Sequence, residues 1–80
     1  MFNVFEKYRE FAESISAAEL KREIARFDRK LEVIGKEVDA LIPQVTAENE
    51  WLYKSKVKDC RFLADAIRAF SEELAIRGAA

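Results

Sequence analysis

Histidine is absent from this 80-residue sequence, and cysteine, proline and tryptophan occur once each. With no imidazole and only the Cys60 thiol, no zinc-type ligand set can be assembled and no disulfide can close within the chain. The same shortage removes the usual base that would activate a thiol, so Cys60 reads as a buried structural residue. Glycine is nearly missing as well. Two glycines cannot supply a phosphate-cradling loop, and no hydrolase or kinase signature is present. Neither sign of charge prevails, with 14 basic against 15 acidic residues. That balance argues against a general nucleic-acid binder and equally against a DNA mimic. No apolar run is long enough to span a bilayer, and the opening MFNVFEKYRE shows no signal-peptide pattern, so a cytoplasmic protein is expected.

What is present is hydrophobic residues, half of the total, at helical spacing. Residues 1–80 read as a single all-α domain with helices over about 4–15, 17–42 and 47–77. Asn3 with Glu6 caps the first, whose inward face is Val4, Phe5, Tyr8, Phe11, Ala12 and Ile15. Ser16 and Glu19 form a capping box for the second. Its seam of Leu20, Ile24, Phe27, Leu31, Ile34, Val38 and Leu41 follows a heptad pattern. Gly35 lies beside that seam, where a close backbone approach, a ligand or simple tolerance would each account for it. Pro43 stops the second helix, and Thr46 is the expected cap of the third. The short PQVT connection makes these two a long antiparallel hairpin, preceded by the short N-terminal helix.

The third helix carries two stripes. The main one is Tyr53, Val57, Cys60, Leu63, Ala64, Ile67, Phe70 and Leu74. The other, Trp51, Phe62, Ala66, Ala69 and Ile76, is the expected oligomer interface, because one partner helix covers one face and small cores need extra burial. An oligomeric helical bundle is the expected architecture. The charges fall in blocks: Lys21, Arg22, Arg26, Arg29 and Lys30 early in the second helix, Lys54, Lys56, Lys58 and Arg61 early in the third, with acids later in both. Antiparallel pairing would set basic against acidic blocks; alternatively, the cations of several copies would gather around an anionic ligand. Trp51 either closes the open end of the hairpin or stacks on a ring, and Tyr8 has a similar double reading. Neighbouring carboxylates such as Glu72 and Glu73 do not converge on a cleft, so no catalytic residue, metal ligand or cofactor is expected. The arginine-rich pattern of helical chorismate-type mutases is not found either.

The stretch IGKEVDALIPQVTAENEWLYKSKVKDCRFLADAIRAF has a glycine in a heptad helix, a short turn, an acidic-polar pair before tryptophan, and a helix with an Arg-Ala pair. Gly35, Trp51, Leu52, Lys56, Arg68 and Ala69 carry that layout, together with the opening Tyr8-Arg9-Glu10. In these features, over about half of the chain, it resembles the phage cyclic-nucleotide sponges that counter CBASS immunity. The resemblance implies a non-enzymatic helical homo-oligomer in the host cytoplasm that sequesters cyclic di- or trinucleotides at subunit interfaces. Tyr8 would then be a stacking residue and Lys56 a basic ligand contact, with Arg26, Arg29 or Lys30 standing in, by a shift of spacing, for the family's lysine in the first long helix. Val57 and the Lys58-Asp59-Cys60 stretch depart from the family, which has polar and glutamine-rich residues there. The alternative is a small interaction module, an inhibitor or adaptor, that docks its apolar face on a larger protein.

Overall fold

Ser16 stands between two helices and starts the second. Its backbone is extended (φ −72°, ψ 160°), and its hydroxyl accepts from the Glu19 amide at 3.1 Å, satisfying one of the orphan donors of the helix that follows. In the computed structural model, which describes residues 4–78, this junction separates α1 (Val4–Ser14) from α2 (Ala17–Leu41). A 3-10 turn over Ile42–Gln44, containing Pro43, leads on to α3 (Glu50–Ile76). No strand occurs among the described residues, so the chain is all-α. The expected Asn3 cap lies outside them, as does the side chain of Val4.

The start of α3 differs from expectation. Thr46 does not cap it; Asn49 stands at the cap position, three residues later. The reason is that the Asn49 side-chain amide is used to tie the connection. Its Oδ1 accepts from the Thr46 amide at 2.6 Å, and its Nδ2 donates to the Gln44 carbonyl at 3.0 Å. Residues 47–49 are thereby held as a turn rather than as the first helical turn. At the other end, Gly78 follows the last turn of α3 at φ 72°, the left-handed conformation that a Cβ disfavours.

Phe27 of α2 packs on Phe70 of α3 with ring centroids 5.5 Å apart, while Glu37 of α2 pairs with Lys56 of α3. A later residue on α2 therefore meets an earlier one on α3, and the two long helices run in opposite directions. Along α2 the whole heptad seam from Leu20 to Leu41 is buried or half-buried. The short α1 lies across one end of this pair. Its Tyr8 ring meets Phe27 and Phe70 edge-on at 6.3 and 6.0 Å, and Phe11 meets Phe70 at 6.0 Å.

Among the described residues, all the buried ones sit at that end. They are Ala12 from α1, Leu20 from α2, and Ala66, Ala69, Phe70 and Leu74 from α3; none of residues 21–65 is buried. The Cα radius of gyration is 15.0 Å, against about 12 Å for a compact domain of this length. A body measuring 46 × 29 × 14 Å has much surface for its volume; Val33, Ile42, Val45 and Trp51 are exposed away from α1, and Phe11 and Ile76 at the α1 end.

Candidate functional site

The seam of α2 fixes where its arginines point. Leu20, Ile24 and Phe27 turn towards α3, so Arg22, Arg26 and Arg29, also spaced by four and three, fall together on the opposite side of the helix. There they line an open hollow of about 500 Å³ with Glu19, Glu23 and the Phe11 ring of α1. Phe11 was expected on the inward face of its helix, yet it is 46% exposed: it touches Phe70 with one edge and gives the rest to this hollow. Among the described residues Arg22 and Arg29 make no ion pair. Arg26 reaches Glu23 only at 3.8 Å, and its guanidinium carbon lies 5.8 Å from the centre of the Phe27 ring. The Lys30 ammonium is 5.7 Å from the same ring. Three guanidinium groups in a row beside an exposed aromatic ring can hold phosphate oxygens and stack a base.

Of the expected ligand residues, Tyr8, Arg26 and Lys30 are thus brought together around Phe27. Tyr8 is half-buried in the aromatic cluster, so it is a wall of the core as much as a surface group. Trp51 and Lys56 are elsewhere. Lys56 Nζ sits 2.5 Å from Glu37 Oε2, ten residues and therefore about 15 Å beyond Phe27 along α2. Trp51, on the first turn of α3, is 69% exposed. A single chain does not gather all five.

The expected interface stripe also divides. Ala66 and Ala69 are fully buried within the chain itself, and Ala66 shares the core with Ala12. Ala66 thus sits where α1 meets α3, and neither alanine is exposed on the single chain. Phe62 is half-buried beneath Lys58, whose ammonium lies 5.6 Å from its ring centre. Trp51 and Ile76 remain exposed.

Charge matching between the two long helices accounts for little. Among the described residues Glu37–Lys56 alone links α2 with α3; the other four ion pairs join residues three or four apart on one helix. The sequence blocks had no regard to helical phase, and the arginines of the α2 block turn away from α3. Their phase relative to the seam was the available signal for Arg22 and Arg29 as site residues. Among the described residues no group of acidic or thiol side chains is arranged to hold a metal ion, and no helix is long and apolar enough to cross a membrane. Compared with family models, curated proteins and solved structures, the chain matches none.

Proposed function

We propose that this chain is a non-enzymatic, phage-type anti-defence protein that assembles with copies of itself and sequesters a cyclic nucleotide signal. The observation that carries the reading is the hollow beside α1, where Arg22 and Arg29 have no acidic partner among the described residues and Phe11 is open to a ligand. Spaced over seven residues, the three guanidinium groups extend along about 10 Å of helix, a length over which two phosphates can be held. Sequestration needs affinity only, and pre-formed cations and rings supply it without any bond being made or broken.

Assembly is supported by the helical hairpin that α2 and α3 form. Away from α1, its apolar seam is only half-buried, and Val33, Ile42 and Trp51 are exposed there. Packing these ends into a bundle would remove that surface from water. It would also offer the one route by which Trp51 and Lys56 of one copy come near Tyr8 of another.

The deciding experiment is native mass spectrometry of the purified protein, alone and with cyclic di- and trinucleotides. A defined oligomer that takes up whole ligands is the expected result. Arg22→Glu combined with Arg29→Glu should abolish uptake and leave the oligomer intact, since both side chains are exposed. Tyr8→Phe isolates the hydroxyl without opening the aromatic cluster, which Tyr8→Ala would do. An assembly indifferent to every nucleotide overturns the reading. The exposed Trp51, Ile42 and Val33 then favour the alternative, a docking face for a larger protein.

A further inference from the structure

Lys56 marks the side of α3 that faces α2, because its ammonium meets Glu37. Lys54 and Lys58, two residues to either side, are each turned about 200° around the helix axis from it. They point away from the rest of the molecule. With Tyr53, Arg61 and Phe62 they line a second open hollow of about 530 Å³, separate from the arginine hollow on α2. Trp51 lies on the same side by its spacing of three from Lys54 and seven from Lys58.

Little inside the chain uses these cations. Lys54 has an ion pair with Glu50 at 3.3 Å, but both side chains are more than half exposed, so the pair is weak. Lys58 lies over the Phe62 ring, and Arg61 makes no ion pair among the described residues. The result is a strip about 16 Å long, with the exposed Trp51 at one end, the half-buried Phe62 under Lys58 at the other, and three cations along it. Bases stack on exposed rings regardless of sequence while a row of cations follows the phosphates, and this is how single strands are held without sequence reading.

We propose that the outer face of α3 binds a short single-stranded oligonucleotide of a few residues, with a base on the exposed Trp51 and phosphates on Lys54, Lys58 and Arg61. This does not rest on the cyclic-nucleotide reading. The balanced total charge of the chain gives no long-range field. The interaction is therefore local, and Asp65, also lining the hollow, limits the strip on one side.

The test uses a fluorescein-labelled hexathymidylate and the full chain, with anisotropy read at 20–200 mM salt. With three phosphate contacts, log K should fall against log salt with a slope of about −2. Lys58→Glu with Arg61→Glu should reduce affinity at least tenfold while the helical circular dichroism is unchanged. Trp51→Ala should weaken it about tenfold through loss of stacking. The Arg22→Glu, Arg29→Glu pair should have no effect. No binding at low salt overturns the proposal. So does binding that survives the α3 changes, that is lost with the α2 pair, or that inorganic polyphosphate, which has no bases, reproduces with equal affinity.

Discussion

The two ends of the α2–α3 pair have the same kind of seam and different fates. Beside α1, Phe70, Leu20 and Leu74 are buried and the rings of Tyr8, Phe11 and Phe27 close around Phe70. At the far end Ile34, Val38, Leu41 and Leu52 are only half-buried. The heptad pattern does not change along α2; what changes is the presence of a third helix. Two helices can shield one stripe from each other but cannot enclose it, so eleven residues of α1 decide where a core exists.

That contrast can be broken most severely at Phe70. Phe70→Ala should lower the folding free energy by about 3–5 kcal/mol, measured by urea denaturation. Val38→Ala at the far end should cost only about 1 kcal/mol at concentrations low enough to keep the chains apart. Similar losses at both sites, or a midpoint for the Val38 variant that rises with protein concentration, would mean that another copy covers the far end. Arg77→Ala has an intermediate effect. Arg77 Nη2 donates to the Ala12 carbonyl at 2.9 Å and to Glu13 at 3.4 Å, and Nε pairs with Glu73 at 2.9 Å. Its loss should cost about 1–2 kcal/mol and speed hydrogen exchange in α1 without speeding it in the middle of α2. The smallest effect is opposite in sign. A Cβ built on Gly35 meets nothing within 4 Å, so no close approach inside the chain requires a glycine there. Gly35→Ala should stabilise the protein by about 0.5–1 kcal/mol in a thermal melt. A destabilisation that appears only at high concentration would place another copy's backbone against that position.

The helices and the seam were legible because they depend on local spacing: Ser16 and Glu19 at a start, Pro43 at a stop, and the run from Leu20 to Leu41 between them. The position of α1 was not. Ala66 and Ala69 announce that some helix comes close, but periodicity does not say whether it belongs to the same chain. The start of α3 was misplaced because Thr46 and Asn49 are both good caps, and only the bonds of Asn49 to Thr46 and Gln44 distinguish them. The α2 hollow was half-legible. Arg26, Arg29 and Lys30 were named for a resemblance, while the grouping of Arg22 with Arg26 and Arg29 follows from their phase opposite the seam.

The Arg77 contact with α1 also orders events in time. The carbonyls of Ala12 and Glu13 belong to the last turn of α1, and the donor that meets them lies 65 residues away from Ala12. During synthesis α1 is made long before that donor exists, and a lone helix of this length is marginal in water. The α2–α3 pair can begin to zip from its short connection, whereas the bonds of α1 to Arg77 need the end of α3. The helix that organises the core is therefore tied in part by a contact far from it in sequence.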